Sequence, residues 1–240
     1  MTPDPVDQAR RLARDRFPDA LAVILAGSTA AGRATASSDL DIVVLVGDGG
    51  ETRRETIRFE GRVVELFIHT RAGLADLFAA DFATRRGVLQ SMYATGLVLV
   101  DANGEAERAR ALAAADLRHG PPALEAEAVE TKRYGLTDAL DDVADAGDPI
   151  ERLAVAGFVL GAAADLLCDH HHAWIGGGKW LPRRLLEADA ERGAALLHGH
   201  LHLCRSGDPG LMIDAASGIL DLVGGALREG YRRTWHGRRG

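Results

Sequence analysis

The sequence predicts an α+β chain: a mixed β-sheet domain with flanking helices over residues 1–102, then an all-α helical bundle over residues 103–240. Three observations predict it. Short apolar runs rich in β-branched residues, such as Leu21–Ala26, Asp39–Val46 and Arg62–His69, recur only as far as Asp101. From Glu105 onward the chain is rich in Ala, Leu, Glu, Asp and Arg and keeps a helical period. With 240 residues it is long enough for two modest domains, each burying a core.

Taken in order, residues 5–17 place Val6, Leu12, Ala13 and Phe17 on one side of an amphipathic helix, which Pro18 ends. Leu21–Ala26 suits a buried strand and stops at Gly27-Ser28, where a helix should start. Asp39–Val46 is a second strand, closed by the turn Gly47-Asp48-Gly49-Gly50. Glu55–Phe59 alternates as a half-exposed strand and forms a hairpin with Arg62–His69 across Glu60-Gly61. Leu74–Ala83 and Arg86–Ala94 read as helices, and Gly96–Asp101 as the closing strand. In the second half, helices are expected over Glu105–Arg118, Ala123–Ala146, Pro149–His170, Pro182–Cys204 with a break near Gly193, and Leu211–Trp235. Gly157 and Gly161, on one helix face, permit close helix packing, and Cys168 and Cys204 read as core residues.

Composition narrows the function. The formal net charge is -7, and the one basic block is the short end Arg232-Arg233 to Arg238-Arg239. A protein that grips nucleic acid needs a basic footprint to neutralise phosphates, so the balance points away from a nucleic-acid partner and toward a small, cationic acceptor. The two cysteines lack zinc-site spacing, and Met1-Thr2-Pro3-Asp4-Pro5 lacks the apolar core of a signal peptide, so a reduced cytoplasmic setting is expected. Leu153–Cys168 contains Asp165 and falls short of the roughly 20 apolar residues of a membrane span, so no membrane partner is expected.

Two stretches carry the chemistry. Leu25-Ala26-Gly27-Ser28 joins a strand to a helix start, where free N–H groups and the Ser28 hydroxyl meet the positive end of the helix dipole. Such a junction cradles phosphate. In Ser37-Ser38-Asp39-Leu40-Asp41, side chains alternate along the strand, so Asp39 and Asp41 share a face, and their charges repel unless a cation sits between them. Hard divalent ions such as Mg²⁺ take one or two carboxylates plus substrate phosphates. Glu65, the only charge in Val63–Ile68, offers a third carboxylate from a neighbouring strand.

At these residues the chain resembles the nucleotidyltransferase superfamily of the DNA polymerase β type: a Gly-Ser pair, a spacer, an Asp-x-Asp on a strand, then an acidic residue in a later strand. The resemblance covers roughly residues 15–102. It departs in one place, since Glu65 stands where polymerases commonly carry Asp; antibiotic-modifying members vary there, and that position can serve them as general base. A nucleotidyltransferase domain followed by a helical domain is also the layout of the aminoglycoside adenylyltransferases of antibiotic resistance, whose acceptor lies between the domains. The resemblance implies an enzyme using ATP and two Mg²⁺ ions to move AMP onto a hydroxyl of a small molecule, with pyrophosphate leaving. It implies that Gly27 and Ser28 hold the β- and γ-phosphates, that Asp39 and Asp41 bind the ions, and that Glu65 ligates a metal or takes the acceptor's proton.

Further candidates each have a plainer reading. Arg33 is either a phosphate contact or a solvated residue. Glu130, with Glu127 second, is a candidate general base on the acidic face of Ala123–Ala146, a face otherwise read as solvated. Lys179, one of two lysines in the chain, sits in the glycine loop Gly176-Gly177-Gly178 and is either a β/γ-phosphate contact or part of an interhelical loop. His170-His171-His172 reads as a polar helix end, because consecutive helical residues point apart. Two other functions fit part of the pattern: a protein-modifying adenylyltransferase of a toxin–antitoxin system, which the fused bundle disfavours, and a non-catalytic nucleotide sensor, which the complete carboxylate set disfavours. Monomer and homodimer are both compatible with the sequence.

Overall fold

The computed structural model describes residues 4–35 and 38–234, so Ser37, Trp235 and the basic pair Arg238-Arg239 lie outside the described residues. The chain divides into two compact units, residues 1–121 and 122–240.

The first unit is a mixed sheet between helices. It opens with α1 (Pro5–Arg16), capped by the Asp4 carboxylate, which accepts hydrogen bonds from the Val6 and Asp7 amides at 2.9 and 3.1 Å. The strands are β1 (Ala22–Ala26), β2 (Leu40–Leu45), β3 (Arg53–Phe59), β4 (Arg62–His69) and β5 (Leu97–Asp101), in the spatial order β3-β4-β2-β1-β5. Among the described residues, only the β2–β4 pairing is parallel. The hairpin of β3 and β4 turns at Glu60 (φ 46°) and Gly61 (φ 82°), two residues in the left-handed region, as a two-residue turn requires. One face of the sheet, with Leu25, Ile42, Val44 and Leu66, buries Ala9, Leu12 and Ala13 of α1. The other, with Ile24, Val43 and Leu45, is covered by α3 (Arg71–Ala83), α4 (Val88–Thr95) and α5 (Glu105–His119), through Phe78, Tyr93 and Ala106 among others. Because α5 packs on this face, the first unit runs past residue 102 to Pro121.

The second unit is helical: α6 (Ala126–Asp145), α7 (Pro149–His170), a 3-10 turn at Gly178–Trp180, α8 (Leu181–Ala188), α9 (Ala190–Ser206) and α10 (Gly210–Leu222). Leu136, Leu140 and Val143 of α6, Val159, Leu166 and Leu167 of α7, and Leu196 and Ile219 form its core. Four expectations are corrected here. The helical break falls at Asp189, not Gly193, because the Asp189 carboxylate caps α9 by accepting from the Arg192 amide at 2.9 Å. The last helix stops at Leu222 rather than running on toward Trp235, since Gly224 (φ 102°) and Gly225 (φ 78°) leave helical geometry and their carbonyls accept from Arg133 at 2.5 and 3.0 Å. Gly157 and Gly161 have open space where a Cβ would stand and border a cavity of about 770 Å³, so they make room instead of close packing. Cys168 is buried, but Cys204 is exposed on α9. Among the described residues, no helix is long and apolar enough to cross a membrane.

Candidate active site

The site forms where β1 ends and β2 begins. Antiparallel pairing sets Ala26 opposite Asp41, and parallel pairing sets Asp41 opposite Glu65. The register therefore puts both acidic side chains on the sheet face that carries Val43, Leu45 and Phe67. Asp39, two residues before Asp41, points the same way. One carboxylate oxygen from each of Asp39, Asp41 and Glu65 lies within 4.8 Å of the others, and all three residues are half-buried. Adjacent carboxylates at that spacing repel by about 1 kcal/mol per pair in water and by several times more where water is excluded.

Two features hold the acids there. Arg62 donates to the Ser38 carbonyl at 3.0 Å and to Gln8 at 3.1 Å, fixing the approach of the chain to Asp39. Arg54 of β3 donates to Glu65 Oε2 at 2.6 Å and spans the Phe67 ring, 4.7 Å from its centroid. Sequence reasoning missed Arg54. The signal was present: a two-residue turn at Glu60-Gly61 pairs Thr56 with Glu65 and Arg54 with Phe67, which sets Arg54 diagonally across from Glu65.

Gly27 follows directly, at φ +67°, and its bare Cα faces Asp41; a Cβ there would stand 1.9 Å from Asp41 Oδ2. Only glycine satisfies both the backbone angle and that contact. Gly27–Ala30 forms a single helical turn, α2, in which the Ser28 carbonyl accepts from the Arg33 amide at 2.8 Å. The neighbouring Thr29 Oγ1 is buried and has no hydrogen-bond partner among the described residues, a second polar group that sequence reasoning passed over. Arg33 lies beyond the turn and is exposed. Glu130 and Lys179 belong to the second unit, exposed on α6 and in the 3-10 turn respectively.

Three carboxylate oxygens held by backbone register form a hard, anionic donor set, and the glycine opposite them leaves the space that a Cβ would fill. These residues fit a divalent cation of the Mg²⁺ type.

Comparison with known proteins agrees with the first unit. No curated protein matches the chain. A nucleotidyltransferase-like protein from Exiguobacterium sibiricum 255-15, of known crystal structure, is 13% identical, with 90% of this chain and 74% of that one covered at a TM-score of 0.47. Residues 6–73 match the family model of the nucleotidyltransferase domain, so the stretch of this chain that holds Gly27, Ser28, Asp39, Asp41 and Glu65 is the stretch that resembles that family.

Proposed function

We propose that the protein is a Mg²⁺-dependent nucleotidyltransferase that moves AMP from ATP onto a hydroxyl of a small molecule and releases pyrophosphate. The convergence of Asp39, Asp41 and Glu65 beside the Gly27 turn carries the proposal. Asp39 and Asp41 would hold two ions, which when bound lower the cost of deprotonating the acceptor and of charge on the departing pyrophosphate. Gly27 and Ser28 would present backbone amides and a hydroxyl to the β- and γ-phosphates, with Arg33 as a further phosphate contact. A free hydroxyl is a poor nucleophile at neutral pH, so a positioned base is required. Glu65, already on the shared face, takes that role or ligates an ion. The panel holds aminoglycosides, the acceptors that the resemblance implies, together with uncharged and anionic hydroxylated molecules.

The test uses α-labelled ATP with Mg²⁺ and such a panel, read as acceptor mass gained. Asp41→Asn should remove transfer and weaken Mn²⁺ binding, a readout independent of turnover, with the fold retained by circular dichroism. Full transfer by that variant refutes the proposal. Glu65→Gln, compared with wild type at saturating ATP for turnover and Mn²⁺ affinity, decides whether Glu65 takes the proton or ligates an ion.

A further inference from the structure

A cavity of about 590 Å³ opens in the first unit, between β3, β4 and the helices α3 and α4. Its apolar lining includes Phe67, Leu77, Leu89 and Met92, and its volume falls in the range of small-molecule sites, roughly 300–1,000 Å³. It adjoins the acidic site. Glu65, Phe67 and His69 alternate onto one face of β4, so Phe67 stands about 7 Å along the strand from Glu65. Arg54 lines the cavity while paired to Glu65, which makes one guanidinium the border of both.

The charges around this cavity are unequal. Of the acids, Asp81 lines it, but its carboxylate accepts from the Leu89 amide at 2.7 Å at the start of α4 and is half-buried. His69 hydrogen-bonds the Tyr93 hydroxyl at 3.0 Å, and burial holds its pKa down to about 4, so it is neutral at pH 7. Arg53 turns to Glu55, donating at 2.6 Å. Arg54 and Arg86 stand as cations at the rim: Arg54 is exposed over 61% of its side chain while paired to Glu65, and Arg86 is exposed, its backbone N–H donating to the Asp81 carbonyl at 3.2 Å.

Strand order adds direction. Gly27-Ser28 follows β1, on one side of Asp41, and the cavity lies beyond β4, on the other. Phosphoryl displacement keeps the attacking and leaving oxygens roughly in line. With pyrophosphate leaving on the β1 side, the acceptor enters from the β4 side.

We infer that this cavity seats the acceptor, and that the acceptor is a hydroxylated molecule with a flat apolar body and an anionic group held by Arg54 and Arg86, rather than a polycation. The inference rests on the nucleotidyl-transfer reading above. In the transfer, the acceptor hydroxyl oxygen bonds to the α-phosphorus as the bond to pyrophosphate breaks. The leaving pyrophosphate keeps that electron pair, and the hydroxyl proton passes to Glu65 and then to water. The acceptor's anion replaces Glu65 on Arg54, which frees the carboxylate for this proton.

Three phenols that differ only in head group isolate the charge: 3-(4-hydroxyphenyl)propanoate, 4-ethylphenol and tyramine, with kanamycin as a polycation. Calorimetric titration of the full chain should show the carboxylate binding at least about tenfold tighter than tyramine, the scale of one charge-assisted hydrogen bond. Arg86→Ala and Arg54→Ala, both at exposed positions, should each weaken the carboxylate about tenfold and leave 4-ethylphenol unchanged. Tighter binding of tyramine or kanamycin, no binding by any of the phenols, or a carboxylate affinity that both variants keep overturns the inference. Mg²⁺–ATP affinity of wild type and Asp41→Asn, titrated separately, reports on the transfer reading, so the failure of one is not mistaken for failure of the other.

Discussion

Replacing Gly27 by alanine tests the site at its tightest point. The backbone there is left-handed, at φ +67°, which costs a residue with a Cβ about 1–2 kcal/mol. The new Cβ would stand 1.9 Å from Asp41 Oδ2 and 2.8 Å from Asp41 Cγ, so the carboxylate must retreat about 1.5 Å to reach ordinary contact. Magnesium tolerates little of that, since its ligand distances are near 2.0–2.1 Å, and a 1 Å misplacement at a reacting centre costs on the order of 100-fold. Gly27→Ala should therefore lower kcat/KM about 100-fold and the melting temperature by roughly 4–10 °C. Gly32→Ala supplies the control: its φ is +65°, but nothing lies within 4 Å of its Cβ position. It should show the same thermal loss and keep its activity. Transfer kinetics and thermal unfolding of the two variants, with Mn²⁺ affinity as a third measure, separate backbone strain from displacement of Asp41. If Gly27→Ala holds wild-type Mn²⁺ affinity and turnover, the placement of Asp41 against Gly27 is wrong.

Three further outcomes follow from buried groups and helix contacts. Burial lowers the His69 pKa to about 4, so below pH 6.5 the unfolded chain binds a proton that the folded chain refuses. That contribution is whole above pH 6.5 and is lost as pH falls to 4, about 3 kcal/mol in all; urea unfolding should show the slope, and His69→Asn should flatten it, whereas equal slopes in both proteins would exclude His69 as its source. In the second unit, a Cβ at Gly199 would meet Met212 Cα at 2.7 Å, while Gly157 has open space. Gly199→Ala should destabilise by about 2–3 kcal/mol through overpacking, and Gly157→Ala should stabilise by about 0.5–1 kcal/mol through helix propensity, both read from denaturant midpoints.

Much of the first unit was legible because its signals are local. The apolar run before Gly27 marked a strand end, and alternation alone put Asp39 and Asp41 on one face. That Glu65 comes from a strand adjoining β2 was legible; that the two strands, β2 and β4, pair in parallel and in which register was not. Without it, nothing local sets Asp41 opposite Glu65. The break at Asp189 was misplaced for a related reason. Gly193 looked like the breaker, yet it sits inside α9 because a side chain there would strike the Leu185 carbonyl at 2.7 Å. A glycine in a helix marks either a break or a close neighbour, and only tertiary contact separates the two.

The cavity beside Glu65 revises what net charge implied. A total of -7 pointed to a cationic acceptor, but net charge averages over a surface, and a ligand meets only the groups within a Debye length, about 10 Å at 0.1 M salt. Within that reach on the β4 side stand Arg54, paired to Glu65, and Arg86, with Asp81 tied to the start of α4. The three acids face a different ligand. Strand register sets Asp41 and Glu65 side by side, so the backbone hydrogen bonds of β1, β2 and β4 hold them against their repulsion, and the Arg54 pair with Glu65 offsets part of it. A divalent cation bound between the acids would offset more of it. With that ion bound, Arg54 would lose part of its hold on Glu65 and become available to an anion in the cavity. Ion and acceptor should bind with positive coupling, a linkage that does not arise if Arg54 serves only to stabilise the sheet edge.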